Sequence, residues 1–170
     1  ATHSSSNNPE VNSLIAFKQG LSNPVSQLLS GWIPTDPSPC HWPGINCSAA
    51  DGSSVSSVSL PNMELHGSLP PHLFLTLTNL RSLDLSLNSL WGPIPSQIRN
   101  LVHLEQLTLH HNRFSGPLSP TSLVLIDTLD LSFNELSGHL SPLLSTVNNL
   151  YLGNNMFEGD VPQEFIDELL

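Results

Sequence analysis

Five short stretches of the chain alternate aliphatic and polar residues, and each is followed by the same spacing of polar residues and glycine. The aliphatic pairs are Val58–Leu60, Leu83–Leu85, Leu107–Leu109, Leu129–Leu131 and Leu150–Leu152. Alternation with a period of two predicts a short strand with one buried face. The closing glycines stand at 67, 92, 116, 138 and 159, at intervals of 25, 24, 22 and 21 residues. This period predicts a stacked solenoid with a parallel sheet and a continuous leucine core.

An asparagine stands at the end of four of the five predicted strands: Asn88, Asn112, Asn134 and Asn155. Its side-chain amide can bond the backbone of its own turn and of the neighbouring turn. Met63 takes this place in the first unit, which fits an atypical terminal repeat. We expect the glycines to occupy crowded or positive-φ positions.

The length of the return segment between units varies, while the rest of each unit does not. From the apolar residue after the glycine to the next strand, the chain takes 14, 13, 11 and then 10 residues. We therefore expect flatter stacking and less helix on the convex side towards the C-terminus. The outer segments 119–125 and 141–146 contain Pro120 and Pro142, so irregular structure is expected there.

Residues 12–32 predict two short helices ahead of the repeats. Asn12 or Ser13 is the expected N-cap of the first, and Asn23 followed by Pro24 predicts the start of the second. Their apolar faces are Leu14, Phe17 and Leu21, and then Val25, Leu28, Leu29 and Trp32. The polar segment 1–8 is interpreted as a mature N-terminus, since neither a signal peptide nor a membrane-length apolar run is visible.

The phrase L-x-x-L-x-L-x-x-N-x-L-x-G-x-I-P runs through residues 55–170 and resembles the plant-specific extracellular class of leucine-rich repeat. The stretch from Cys40 to Cys47, with Phe17-Lys18 and Trp32, is similar to the N-terminal cap of plant receptor ectodomains. The resemblance implies an α/β solenoid: five plant-type leucine-rich repeats at 55–170 after a polar segment and α-helical cap at 1–54. It also implies a disulfide between Cys40 and Cys47, because that family pairs two such cysteines. No further cysteine pair is present to favour a zinc site.

The C-terminal segment carries a last apolar group. Phe165, Ile166, Leu169 and Leu170 are expected to form one amphipathic turn that partly covers the fifth repeat. The chain stops in the outer arc of that repeat, and the alternatives are a natural short cap or an array that continues.

The chain is acidic, with 14 Asp and Glu against four Lys and Arg and a formal net charge of −10. This balance argues against nucleic acid and anionic membrane surfaces as partners, since both require basic residues. The sequence contains no Gly-x-Ser-x-Gly, phosphate-loop or His-x-x-x-His motif. We therefore expect no enzyme activity, no cofactor and no metal in this chain.

The residues between the strand leucines are expected to form an exposed wall on the concave face. Exposed apolar and aromatic groups mixed with acids are typical of a protein or peptide contact. The candidate ligand-binding residues are Asp84, Leu87, Thr108, His110, His111, Asp130, Phe133 and Tyr151. Trp91 is either a flank contact or packs on a neighbouring unit. Asn46 begins the sequon Asn46-Cys47-Ser48 and is a candidate glycosylation site.

The adjacent His110 and His111 invite a metal interpretation. Neighbours on a strand are expected to point to opposite faces, and no third ligand is fixed nearby, so a solvated pair is favoured. A pH-sensing pair tuned by Asp84, Asp130 or Glu105 is the alternative.

The resemblance implies the ligand-sensing or co-receptor ectodomain of a plant leucine-rich repeat receptor-like kinase. It would lie on the extracellular face of the plasma membrane and bind a protein or peptide, alone or with a larger receptor. The membrane helix and kinase domain would lie outside this chain. The alternative is a secreted inhibitor of a cell-wall-degrading enzyme. An ice-binding surface would want repeated Thr or Asn in one flat column, whereas the columns here are mixed.

Overall fold

The computed structural model describes residues 6–22, 27–119, 123 and 126–167. Within these residues, no helix has both the length and the hydropathy of a membrane span.

Six short strands form the main, concave sheet. They are β1 (Ile45–Cys47), β2 (Val55–Ser59), β4 (Ser82–Asp84), β6 (Gln106–Thr108), β8 (Thr128–Asp130) and β10 (Asn149–Tyr151), hydrogen-bonded in that order. β1 is antiparallel to β2, and the other strands are all parallel. The central leucines Leu83, Leu107 and Leu129 pair in register and are at most 1% exposed. The parallel solenoid with a continuous leucine core is thus confirmed.

The repeated asparagines lock each unit to its neighbour. The Asn112 amide nitrogen donates to the carbonyls of Leu85 and Leu109 at 2.9 and 3.1 Å, and its oxygen accepts from Leu90 N–H at 3.0 Å. Asn134 repeats this pattern one unit later. Each side chain satisfies backbone groups that burial removes from water, so the predicted role of the asparagines is confirmed.

A second parallel sheet, which the sequence did not predict, runs beside the first. Its strands are β3 (His66–Gly67), β5 (Ser89–Gly92), β7 (Arg113–Pro117), β9 (Glu135–His139) and β11 (Met156–Glu158). β5, β7 and β9 each carry a single buried apolar residue two positions before the glycine, Phe157 of β11 is partly buried, and β3 holds only His66 and Gly67. No strand therefore has a run long enough to show a period of two. The glycines have positive φ as expected; Gly116 and Gly138, for example, have φ of 82° and 79°.

The convex side carries short helices. They are α2 (Pro71–Thr76), 3-10 helices at Ser96–Asn100 and Pro142–Thr146, and α3 (Gln163–Asp167). The expected loss of helix towards the C-terminus is wrong for the fifth unit, which the α-helix α3 closes, whereas among the return segments between units the α-helix of the first gives way to 3-10 helices in the second and fourth. The irregular structure expected at 141–146 is also wrong: Ser141 accepts from Leu143 N–H as N-cap, and Pro142 at the first turn favours the helix. Most of 119–125, including Pro120, lies outside the described residues.

The first helix of the cap begins earlier than expected. α1 spans Pro9–Gln19, and its N-cap is Asn8, whose side chain accepts from the N–H groups of Glu10 and Val11. The assignment of Asn12 or Ser13 as N-cap is therefore wrong, because the Asn-Pro pair at 8–9 supplies both a cap and a preset φ. Leu14, Phe17 and Leu21 are buried as predicted.

The second helix of the cap is a 3-10 helix at Gln27–Gly31. The expected start at Asn23 and Pro24, with Val25, lies outside the described residues, as does the side chain of Leu28. Leu29 and Trp32 are at most 1% exposed, as their place on the predicted apolar face requires.

Polar contacts fasten the cap to the first repeat. Val55 N–H donates to the Glu10 carboxylate at 3.1 and 3.2 Å, and Ser13 Oγ lies 3.0 Å from His72 Nδ1. Burial raises the pKa of Glu10. The hydrogen bond from Val55 N–H opposes this shift, and the charge of the nearby Asp51 adds to it. The apolar face of the cap, which includes Leu14 and Phe17, therefore covers the open end of the solenoid, and these polar contacts fasten it there.

Two tryptophans and a disulfide hold the cap itself. Trp32 and Trp42 are buried and stack with ring centroids 5.4 Å apart, and Trp42 Nε1 donates to Asp36 at 2.7 Å. The expected Cys40–Cys47 disulfide is present, with the Cα atoms 5.4 Å apart.

The C-terminal turn covers the last repeat in part. Phe165 in α3 packs against the core, whereas Ile166 is 40% exposed. Leu169 and Leu170, the other members of the predicted turn, lie outside the described residues.

Candidate functional site

The candidate wall on the concave face forms in register. Ser59, Asp84, Thr108, Asp130 and Tyr151 pair in succession across five parallel strands. Four of these residues were expected to bind a ligand, and the sheet brings them into one column. Tyr151 is the most open of the four, at 54% exposed.

Serines two residues downstream fix the two aspartates of this column. Asp84 Oδ1 accepts from the N–H and hydroxyl of Ser86 at 3.0 and 2.7 Å. Asp130 Oδ1 accepts from the same groups of Ser132 at 3.1 and 2.6 Å. The sequence interpretation missed both serines, although the repeated Asp-Leu-Ser phrase was a usable signal, since Asp side chains bond the backbone two residues on. The carboxylates are thereby oriented before any ligand arrives.

A second column leaves the strands in the left-handed conformation. Its members have φ between 53° and 58°: Asn62, Leu87, His111, Phe133 and Asn154. This conformation suits Asn but is strained for a bulky side chain, at roughly 1–2 kcal/mol per residue. Backbone bonds to the next unit hold it, as Leu87 N–H donates to His110 O at 2.9 Å and Phe133 N–H to Gly153 O at 2.9 Å. Leu87 and Phe133 are therefore presented to solvent, at 46% and 47% exposed.

His110 and His111 lie side by side, contrary to the expectation of opposite faces. Their Nδ1 atoms are 2.8 Å apart, because His111 has left the strand with φ 54° and strict alternation ends there. The His111 ring also stacks on Phe133, with centroids 4.3 Å apart. No group of three His, Cys, Asp or Glu side chains arranged to hold a metal ion occurs among the described residues.

The three carboxylates that the pH-sensing alternative assigns to the histidine pair have other partners. Asp84 and Asp130 bond their serines, and Glu105 forms an ion pair with Arg81. Asp127, beside Asp130 on the same strand segment, accepts from Asn148 Nδ2 at 2.7 Å. In the part of the chain described, the contact of the histidine pair is instead with the aromatic ring of Phe133.

Trp91 lies on the second sheet, apart from the concave column. It belongs to β5, is 52% exposed and pairs in register with Arg113 of β7. Arg113 in turn lies 3.5 Å from the Glu135 carboxylate. A contact through Trp91 would therefore use the flank of the solenoid.

Asn46 is exposed in β1, at the edge of the main sheet. Its neighbour Cys47 is held in the disulfide. The side chain is open to solvent, and glycosylation there stays a prediction.

Family models match most of the chain. A leucine-rich repeat N-terminal domain covers residues 7–48, and leucine-rich repeats cover residues 53–114 and 126–147. The receptor-like serine/threonine kinase RGI2 of Arabidopsis thaliana is 35% identical over 89 residues, which is 52% of this chain and 8% of the kinase. The chain thus spans a small fraction of the length of such curated relatives.

Solved structures share the whole architecture. A chain of the BIR3–SERK2 complex of Arabidopsis thaliana superposes with TM-score 0.83 and 34% identity, covering 93% of this chain and 88% of that one. The complex of the Arabidopsis receptor kinase HAESA with the peptide hormone IDA and the co-receptor SERK1 gives TM-score 0.65 and 31% identity, over 93% and 31%. A plant ice-binding protein gives TM-score 0.81 and 32% identity, over 94% and 52%.

The stacked units, the repeated asparagine bonds and the disulfide cap define a leucine-rich repeat solenoid similar to the solved ectodomains of plant receptor kinases. The chain belongs to the leucine-rich repeat family, and its relatives are plant receptor-like kinases.

Proposed function

We propose that this chain is the ligand-sensing or co-receptor ectodomain of a plant receptor-like kinase and binds a peptide or protein on its concave face. The observation that carries the proposal is the in-register column of Asp84, Thr108, Asp130 and Tyr151 beside the exposed ridge of Leu87, His111 and Phe133. A rigid sheet that presents fixed acids and half-exposed apolar groups loses little entropy on binding. The HAESA complex holds a peptide hormone and a co-receptor on the same type of solenoid.

The location follows from the same proposal. Similar solved structures are leucine-rich repeat ectodomains of plant receptor kinases, and the disulfide of the cap suits an oxidising compartment. The chain would therefore face the extracellular side of the plasma membrane, anchored by a segment outside it.

Ice binding is the less favoured function despite the ice-binding neighbour. The concave column mixes Ser, Asp, Thr and Tyr, whereas an ice-binding face is expected to repeat Thr or Asn in one flat column. An ice-recrystallisation assay on the purified chain is the direct check, and inhibition there would reverse this preference.

The test is a binding screen of the purified chain against purified plant leucine-rich repeat ectodomains, alone and with a synthetic peptide library, by biolayer interferometry. Each binder is then tested against Asp84→Ala, His110→Ala, Phe133→Ala and Tyr151→Ala. The matched control is Leu75→Ala on α2, an exposed leucine (57%) on the convex side.

Loss of binding in the concave variants with retention in Leu75→Ala supports the proposal. If the four concave variants bind as the parent does while Trp91→Ala abolishes binding, the site lies on the flank and the assignment is wrong.

A further inference from the structure

The concave face of the middle three repeats carries negative charge that its own residues leave unbalanced. Asp84, Glu105, Asp127 and Asp130 lie in or just before strands β4, β6 and β8. The cation of these same segments is Arg81, and it pairs with Glu105. Three carboxylates therefore remain without an ion-pair partner in the part of the chain that the structure describes.

Two of these carboxylates are held in the same pose. In Asp84 and in Asp130, Oδ1 takes both hydrogen bonds from the serine two residues on. Oδ2 has no hydrogen-bond partner within the described residues in either case. Both side chains are partly exposed. Each therefore offers the second oxygen of an oriented carboxylate as an acceptor, and little side-chain entropy remains to be lost when a cation binds.

The spacing of these acceptors selects a peptide conformation. Asp84 pairs with Thr108, and Thr108 with Asp130, so two strand spacings, about 9.6 Å, separate the aspartates. In a polyproline II helix, residues i and i+3 lie on the same side about 9.3 Å apart. In a β-strand, same-side residues lie about 6.6 or 13 Å apart, and neither distance matches.

A ridge of two apolar side chains with a histidine between them runs parallel to the pair of acceptors. Leu87, His111 and Phe133 occupy the same three repeats, all at positive φ, and the His111 and Phe133 rings stack. Half-exposed side chains in a fixed row provide apolar contact area next to the charges. The ridge favours a ligand that carries an apolar side chain beside its cations.

We propose that this face binds an extended, cationic peptide segment in the polyproline II conformation, with Arg or Lys at i and i+3 against Asp84 and Asp130 and an apolar residue on the ridge. The inference rests on the proposed function and specifies the chemistry of its ligand. Charge complementarity commits the site to a basic segment, because the free acceptors of the column are carboxylates.

The probes are fluorescein-labelled peptides on a proline scaffold, each with two Arg and one Leu. In one the arginines stand at i and i+3, and in isomers of the same composition they stand at i and i+2 or at i and i+5. Fluorescence polarisation at 50 and 150 mM salt measures affinity for the intact chain. We expect the i, i+3 peptide to bind about fivefold tighter than either isomer and to weaken as salt rises.

The matched variants are Asp84→Asn, Asp130→Asn and Asp127→Asn. An Asn side chain keeps an acceptor for the serine bonds but removes the charge. We expect the first two to weaken the i, i+3 peptide about three- to fivefold each. Asp127→Asn removes the same charge from a side chain engaged with Asn148, and we expect less than about a twofold change.

Equal binding of the three isomers, absence of binding by all of them, or an equal effect of Asp127→Asn would overturn this inference. These outcomes differ from failure of the proposed function. In one such outcome, partners found in the screen bind Phe133→Ala more weakly than the parent but bind Asp84→Asn and Asp130→Asn as tightly as the parent. That result would support the concave site and contradict the proposal of a cationic ligand. If no concave variant changes any partner, the proposed function itself is wrong.

Discussion

The imidazole of His111 lies flat against the ring of Phe133, although the two residues belong to different repeats. Their centroids are 4.3 Å apart, their planes are inclined by 16°, and both residues have positive φ. The stacked pair joins the concave rims of the third and fourth repeats.

The positive φ of Leu87 predicts that this residue lowers the free energy of unfolding of the chain. Leu87→Asn should raise the free energy of unfolding by about 0.5–1 kcal/mol, because Asn tolerates positive φ, where a branched apolar chain is strained. Asn already occupies the corresponding place in the first and fifth units, as Asn62 and Asn154. Guanidinium denaturation measures the change. Leu75→Asn, at an exposed helical position, should not stabilise; a less stable Leu87→Asn protein would contradict the strain argument.

The buried hydrogen bonds of the repeated asparagines predict that removing one of these side chains greatly lowers the free energy of unfolding. Asn112→Ala leaves the carbonyls of Leu85 and Leu109 and the N–H of Leu90 without their buried partner. We expect a loss of at least about 2 kcal/mol in the free energy of unfolding. Asn100→Ala, which removes one exposed bond to Gln97, should cost no more than about 0.5 kcal/mol. Urea denaturation compares the two variants. Equal losses in the free energy of unfolding would show that the buried bonds of Asn112 stabilise the fold no more than an exposed bond does.

The raised pKa of Glu10 predicts that the free energy of unfolding depends on pH. Burial raises the pKa of its carboxyl in the folded chain above the ordinary 4.5, with the Val55 bond opposing and the Asp51 charge adding. The folded state therefore holds the proton more tightly than the unfolded state. The contribution of Glu10 to stability is complete below pH 4.5 and is lost as pH rises through the raised folded pKa.

Glu10→Gln keeps an acceptor for Val55 N–H but cannot ionise. We expect this variant to be more stable than the parent at pH 7 and the difference to shrink as pH falls towards 4.5. Glu10→Ala should be less stable at every pH, since it leaves Val55 N–H without its acceptor. Thermal denaturation between pH 4 and 8 supplies the data, and a pH-independent gap between Glu10→Gln and the parent would refute the assignment.

The disulfide of the cap closes a loop with a sequence separation of seven residues. Replacing both cysteines with Ser should cost about 2.5 kcal/mol through the added entropy of the unfolded chain. Trp42 lies within this loop and stacks on Trp32, so tryptophan fluorescence is a direct monitor of cap unfolding. A double Cys→Ser variant that unfolds at the parent's temperature would show that the tryptophan stack and the repeat contacts suffice.

The sequence determined the elements that repeat locally. Leucine pairs at a period of two, followed by Asn and then Gly, are sufficient to predict the five parallel strands of the main sheet, their register and the role of Asn112, because each unit repeats the same short-range pattern. The antiparallel strand β1 was not predicted. The candidate column of Asp84, Thr108, Asp130 and Tyr151 followed directly from that register. The sequence also contains the signals for the Asn8-Pro9 cap and for the Asp-Leu-Ser bonds. The N-cap was nevertheless assigned to Asn12 or Ser13, and the Asp-Leu-Ser bonds were not predicted.

The tertiary structure decided where the strands stop and what lies next to what. The second sheet has too few apolar residues per strand to show a period, and it forms because stacking places its backbone groups side by side. In four members of the left-handed row, Asn62, Leu87, His111 and Phe133, the turn lets the backbone N–H donate to a carbonyl of the next unit. That turn brings His110 beside His111 and His111 onto Phe133, contacts between groups whose meeting no local pattern encodes.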